Sequence, residues 1–310
     1  MILHSPSLFP QNHSTALCSS SHNDTSSSAV SIPSHYVIKQ SNSIRLNKIN
    51  KDEAKPFRCR SCGRRHFLET SLLSAVSDAP ANASGYKATM NKVRPPRPDW
   101  YEELYASVLN SDMMNSYEAE IAAYKSQLFA NLRGKAKKVL EIGIGTGPNL
   151  KYYGNDDDVE VFGVDPNGKM VKYAQKAAEA AGLPPANFKF IHAVGEAIPL
   201  SDASVDAVVG TLVLCSVTNV DQTLQEVKRV LRPGGLYLFV EHVAAKEGTF
   251  LRFVQNLLDP LQQTVADGCH LTRETGKKIS EAGFSGVDLN TTFLSKTAFI
   301  NPQVYGIASK

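Results

Sequence analysis

Val139-Leu140-Glu141-Ile142-Gly143-Ile144-Gly145-Thr146-Gly147-Pro148-Asn149 is the stretch that decides how this chain is read. A short apolar strand over residues 137–142 runs into a glycine-rich turn and then into a stretch compatible with a helix. Glycines let the backbone approach a ligand closely and take positive φ values that side chains disfavour. Amides at the start of a following helix would be free to meet that ligand. Nicotinamide dinucleotides use the same strand–turn–helix, with glycine at the first, third and sixth positions. Here Gly143 and Gly145 comply, but Pro148 holds the sixth position and an extra glycine stands at Gly147. The dinucleotide reading fails at a named residue.

Outward from this turn, strands over 159–164, 188–193, 205–211 and 236–243 alternate with helices over 169–181 and 220–231. That alternation predicts an α/β fold, a parallel sheet with helices on both faces. Asp165 ends the second strand, twenty residues beyond Gly145, where a carboxylate can accept both hydroxyls of a ribose. Asp165-Pro166-Asn167 would equally suit a turn. Residues 100–132 predict two helices broken near Asn110-Ser111. Within them Met113, Met114 and Tyr117 read as helix packing, or as a lid over the ligand. Beyond Val243 comes an amphipathic helix over 250–261, with Phe250, Phe253, Val254, Leu257 and Leu258 on one side. It is expected to pack into the core or to wall an acceptor pocket. A helix over 273–282 and two strands near 287–293 and 303–308 complete the chain.

Charge divides the chain. Residues 1–98 carry thirteen Lys/Arg and five Asp/Glu, a net of +8; of the totals of 33 and 30, this leaves 20 and 25, a net of −5, for residues 99–310. The acidic globular part argues against a nucleic-acid partner. The first fifty residues are Ser-rich with Asp24 as their one acid. Residues 1–83 therefore read as a disordered presequence, by composition an organelle transit peptide. A chloroplast destination is expected, the stroma first, with thylakoid association or a mitochondrion as alternatives. Arg64-Arg65 and Ala79-Pro80-Ala81 imitate a twin-arginine export signal, but Glu69 and Asp78 interrupt the apolar stretch between them. Residues 84–132 read as a helical segment packing on the core, and 133–310 as the main domain with a substrate-side insert at about 248–283. No apolar run suits a membrane span, which leaves peripheral membrane contact as the form of membrane association to consider. Oligomeric state is left open.

Several motifs in order resemble the class I S-adenosylmethionine-dependent methyltransferases of the small-molecule branch. Leu140–Gly147 looks like motif I and Gly163-Val164-Asp165-Pro166 like the acidic loop after the second strand. Ala193-Val194-Gly195-Glu196-Ala197-Ile198-Pro199-Leu200 resembles the adenine loop, with Val194 where that family often places Asp. Leu231-Arg232-Pro233-Gly234-Gly235 is typical of the ubiquinone/menaquinone-type enzymes. Thr211-Leu212-Val213-Leu214-Cys215-Ser216-Val217, Glu241-His242-Val243-Ala244-Ala245 and Asp267-Gly268-Cys269 with Leu271-Thr272-Arg273-Glu274 resemble the animal thiol S-methyltransferases more closely. Those relatives carry a hydrophobic N-terminal anchor, whereas this chain begins hydrophilic.

The resemblance implies a seven-stranded, mostly parallel sheet whose last strand inserts antiparallel. It implies S-adenosyl-L-methionine as cofactor, held by Glu141, Gly143, Gly145, Gly147, Asp165, Pro166, Gly195, Glu196 and Thr211, with Glu141 near the methionine end. The expected reaction is methyl transfer to a small-molecule acceptor, a thiol favoured over a quinol or phenolic carbon or oxygen. A cofactor-binding protein without turnover is the non-enzyme alternative. Transfer from a sulfonium is an in-line displacement, so positioning and water exclusion dominate. A base is needed only for a protonated acceptor, and His270 and His242 are the candidates. Asp206 reads as a support of the fourth strand. Cys215 and Cys269 read as isolated packing thiols. Cys59-x-x-Cys62 is half a zinc site at most, so no metal is expected.

Overall fold

The computed structural model describes residues 83–154 and 158–310. The presequence, the Cys59/Cys62 pair and the twin-arginine stretch lie outside the described residues. Three helices come first: α1 (Ala83–Val93), α2 (Asp99–Leu109) and α3 (Asp112–Phe129). The expected break between the last two falls at Asn110-Ser111, and α1 lies in the segment 84–132 expected to be helical, though its bounds were not drawn. The remainder runs β1 (Lys138–Ile142), β2 (Glu160–Asp165), α4 (Val171–Ala180), β3 (Phe188–His192), β4 (Val205–Thr211), α5 (Val220–Val230), β5 (Leu231–His242), α6 (Phe250–Val265), α7 (Thr275–Glu281), β6 (Gly286–Thr292) and β7 (Gln303–Ser309).

These strands form one seven-stranded sheet in the order β3-β2-β1-β4-β5-β7-β6. β1 to β5 are parallel, and β7 enters antiparallel between β5 and β6. Alternate side chains feed two cores, as the period of a strand requires. Val139, Val161, Val209, Leu238 and Val240 meet Ile121, Leu128 and Phe129 of α3 on one face. Leu140, Ile142, Val208, Tyr237 and Phe239 meet Leu224 and Val227 of α5 and Ile279 of α7 on the other. Local signals set the elements: Asn219 caps α5 by accepting from the Gln222 amide at 3.0 Å. Asp206 accepts from the Lys137 and Lys138 amides at 2.6 and 3.0 Å and pairs with Arg232 at 2.7 Å, stitching β1 to β4 and β5. β5 starts five residues earlier than its apolar run predicts, because Leu231 already pairs with Val205 and the Pro-Gly-Gly stretch is absorbed as a register shift.

Two expectations are corrected. One turn of 3-10 helix, Leu150–Tyr152, follows the glycine loop in place of an α-helix. α6 is turned outward. Phe250, Phe253, Leu257, Leu261 and Val265 are all more than half exposed, and its fully buried residue is Gln255. Gln255 Oε1 accepts from the Ala245 amide at 2.7 Å, and its Nε2 donates to the carbonyls of Phe299 and Asn301 at 3.1 and 2.8 Å. The helix is thus attached by a polar residue. No helix among the described residues is long and apolar enough to cross a membrane.

Candidate functional site

The carboxyl ends of β1, β2 and β4 bring together most of the residues singled out in the sequence. Gly143, Gly145 and Gly147 take φ of +62°, +54° and +81°. A Cβ on Gly147 would stand 2.7 Å from Leu150 Cδ1 and 3.1 Å from Ala177 Cβ, so helix α4 packs where a side chain would be. A Cβ on Gly145 would rest in ordinary van der Waals contact with Leu109 Cδ1 at 3.8 Å, so here the demand for glycine comes from the positive φ and not from crowding. The turn amides are not free: Ile144 N donates to Val164 O, Gly147 N to Ile144 O, and Gly145 N to Asp165 Oδ2 at 2.9 Å. Asp165 Oδ1 accepts from the Asn167 amide at 2.8 Å. Asp165 therefore serves as the turn residue and as the carboxylate facing the glycine loop at once. Burial pushes its pKa up to about 6, against the backbone donors and Arg94.

Glu141 is buried beneath the turn. Its Oε1 accepts from Asn149 Nδ2 at 2.8 Å and its Oε2 from the Tyr153 hydroxyl at 3.3 Å, and burial raises its pKa to about 7. Asn149 Nδ2 also donates to Thr211 Oγ1 at 3.1 Å, while Asn149 Oδ1 is buried with no hydrogen-bond partner among the described residues. Glu196 is placed differently from expectation. Its Oε1 accepts from the Thr218 and Asn219 amides at 2.6 and 3.1 Å, so it fastens the loop after β4. Gly195 is small because a Cβ there would strike Thr223 Cγ2 at 2.9 Å. Pro166 presents its carbonyl to Arg94 and to His192 Nε2 at 3.2 and 2.7 Å. A cavity of about 620 Å³ opens beside it, lined by Met90, Arg94, Pro166, His192, Ala193 and Pro199 among others. That volume suits a small ligand.

A second group of residues gathers beyond β4 and β5. The loop 212–218 is fastened from three sides. Glu241 Oε1 accepts from the Val213 and Leu214 amides at 3.1 and 3.0 Å, Arg273 donates to the Leu214 and Val217 carbonyls at 2.8 and 2.6 Å, and Glu196 holds the far end. The loop carries Cys215. The His270 amide donates to Cys215 O at 3.0 Å, which sets Cys269 beside it. His242, at the end of β5, places Nε2 3.0 Å from Cys269 Sγ. Cys215 and Cys269 are consequently not isolated thiols. The neighbouring Cys215 thiol and His242 draw the Cys269 pKa down, while Cys269 and burial hold that of Cys215 up. The two candidate bases part company. His242 is buried in this cluster, and the half-exposed His270 sits 3.6 Å from Asp259 with its pKa lowered by burial. Arg94 joins the two groups: it reaches Pro166 O on one side and both carboxylate oxygens of Asp267 on the other, at 3.3 and 3.1 Å.

Comparison with known proteins falls on the same segments. A methyltransferase domain family matches residues 140–239. Thiol S-methyltransferase TMT1A of Homo sapiens is 42% identical over 203 residues, 63% of this chain and 81% of that protein. The chain belongs to the thiol S-methyltransferase family. Thiol S-methyltransferase TMT1B of Rattus norvegicus is 45% identical over 172 residues, covering 53% of this chain and 69% of that one. The ubiquinone/menaquinone biosynthesis C-methyltransferase UbiE of Bartonella henselae is more distant, 36% identical over 106 residues, 34% of this chain and 40% of that one. A solved methyltransferase of Haloferax volcanii, in complex with the Trm112 activator, shares the fold at TM-score 0.51 and 17% identity, covering 67% of this chain and 96% of that one. The chain is an S-adenosylmethionine-dependent methyltransferase.

The methyltransferase fits that cofactor on its own geometry. The positive-φ glycine turn, the buried free acceptor of Asn149 and the carboxylates of Glu141 and Asp165 gather at the carboxyl ends of β1, β2 and β4. Reading the sequence missed Asn149, whose role follows only from the packing beneath the turn. It also missed the meeting of Cys215, His242 and Cys269, which lie 27 residues apart in turn. No local metal or thiol spacing betrays them. The signal available was partial: Cys215 follows the end of β4 and His242 ends β5, where sites of this architecture collect, while Cys269 lies in the loop after α6 and carries no such mark.

Proposed function

We propose that this chain binds S-adenosylmethionine through the Gly143–Gly147 turn, Asp165, Pro166 and Asn149, and transfers its methyl group to the sulfur of a small thiol. When bound, that cofactor supplies a methyl group already activated on a sulfonium. Asp165 is suited to accept ribose hydroxyls, and Glu141 with Asn149 to meet the amino-acid end. The observation that carries the thiol reading is the state of the two histidines: His242 is buried against Cys269, and His270 lies beside Asp259 with its basicity lowered. A thiol ionises near pH 8.5 and a phenol near 10, so a thiol makes the smaller demand on a base. Likeness to enzymes named thiol S-methyltransferases supports the same acceptor.

Transfer of labelled methyl to a panel of small thiols, quinols and phenols tests the proposal. Rates should favour thiols and rise with pH as the acceptor ionises. Labelling confined to quinols or phenols would replace the acceptor. Cofactor binding without transfer to any acceptor would establish the catalytically silent alternative. The Ser-rich, acid-poor composition of residues 1–83 supports a plastid address, and a fluorescent fusion of those residues that stayed in the cytosol would refute it.

A further inference from the structure

Cys215, His242 and Cys269 have one ligand atom each within 4.8 Å of the others, and all three residues are buried. We propose that they form a zinc site with an open fourth position. The donor set is two thiols and an imidazole, soft and borderline donors that favour zinc over calcium or magnesium. Three protein ligands with one position left for water or substrate is the arrangement of catalytic zinc, whereas structural zinc is closed by four.

The frame around the donors is built. Cys215 rides on the loop held by Glu241, Arg273 and Glu196, and Cys269 is fixed by its own amide to Ala266 O at 3.0 Å and by the His270 amide to Cys215 O. Gln262 Nε2 lies 3.6 Å from Cys269 Sγ, placed to donate to a metal-bound thiolate. His242 supplies the second observation. It is 2% exposed and its Nε2 points at Cys269 Sγ, the ring atom a metal would take. The strand ends that carry Thr211 and His242 are adjacent and paired, so the cluster lies on the acceptor side of the cofactor residues. At the open position an acceptor thiol would exchange its S–H proton for the metal, the proton leaving to solvent and the sulfur remaining as a bound thiolate. That use rests on the thiol reading above; the metal site does not.

The test is metal content of the full chain, prepared without chelator and supplied with zinc alone, followed by replacement with cobalt. About one zinc per chain is expected, and the cobalt form should show thiolate-to-metal charge-transfer absorption. Cys215→Ser and Cys269→Ser should each lose both signals. Cys59→Ser/Cys62→Ser should keep them, which separates this site from the other thiol pair. Far-UV circular dichroism confirms that each variant is folded; if Cys215→Ser and Cys269→Ser were unfolded, His242→Gln and the cobalt spectrum of the wild type would decide. Zinc retained by the Cys215→Ser/Cys269→Ser double variant, zinc lost with Cys59 and Cys62, or a cobalt spectrum without thiolate ligation would overturn the site. Thiol methylation by zinc-free protein at the full rate would overturn its role in docking the acceptor while leaving the thiol reading intact. A zinc-loaded protein that methylates quinols but no thiol would do the reverse.

Discussion

Asp165 carries two loads whose pH dependences run in opposite directions. Its pKa stands at about 6 in the folded chain, above the ordinary 3.8, because burial opposes its charge. Between roughly pH 4 and 6 the folded state thus holds a proton that the unfolded chain has released, so stability is lost as pH rises through that window. Glu141, at about 7 against 4.5, extends the same trend upward. Thermal melts without ligand should accordingly show a midpoint that falls from about pH 5 to 7.5, with a shallower slope in Glu141→Gln. Cofactor binding should respond the other way, since ribose hydroxyls need an ionised acceptor; affinity should drop by up to about tenfold per pH unit below 6. Calorimetry at pH 5 and 7.5 checks this, and Asp165→Ala should cost roughly 1–3 kcal/mol of binding at the higher pH and abolish the pH trend. The position of Asp165 was legible from its distance to Gly145. Its engagement with the Gly145 amide was not, because that depends on the loop closing back on the end of β2.

At the scale of elements, α6 shows what periodicity can and cannot say. Spacing identifies an amphipathic helix but not which stripe faces in. Here the inward stripe is led by Gln255, which satisfies one amide and the carbonyls of Phe299 and Asn301, while the apolar stripe faces out. Gln255→Leu, nearly equal in size, would orphan those backbone groups and should lower stability by roughly 2–4 kcal/mol in denaturant titration. Leu257→Glu, on the 68% exposed outer side, should change it by no more than about 0.5 kcal/mol. A large loss at Leu257 would mean that the helix is docked the other way round. The short turn after the glycine loop has a similar lesson. Its glycines announce close approach, but at Gly147 the approach is that of the chain's own Leu150 and Ala177, while a Cβ on Gly145 would only touch Leu109.

Over the whole molecule, alternating strand and helix patterns were sufficient to read the sheet from β1 to β5, since buried parallel strands are apolar on both faces. The pairing of β7 between β5 and β6 came from resemblance, as an antiparallel insertion leaves no mark in local pattern. Nor does the sequence mark that Trp100, Leu104 and Val108 of α2 are exposed, as the outer stripe of α6 is, the two helices being linked by the Tyr101 hydroxyl to Thr264 O at 3.3 Å. Exposed apolar side chains along a helix promote association. Light scattering of concentrated protein should fall in a Phe253→Glu/Leu257→Glu variant, with the melting midpoint unchanged. Scattering that persists would show that this side does not govern self-association.

Arg94 touches the Pro166 carbonyl, next to Asp165, and the carboxylate of Asp267 through one rigid guanidinium, and so spans the proposed cofactor and acceptor regions. If cofactor and acceptor bind as proposed, Arg94 should couple the two binding events. Whatever factor the acceptor applies to cofactor affinity, the cofactor must apply to acceptor affinity, by thermodynamic reciprocity. With S-adenosylhomocysteine in place of the donor, both factors can be measured without turnover and should agree, at roughly fivefold or more. In Arg94→Met they should both collapse toward one, leaving an enzyme that binds each partner but no longer registers the presence of the other.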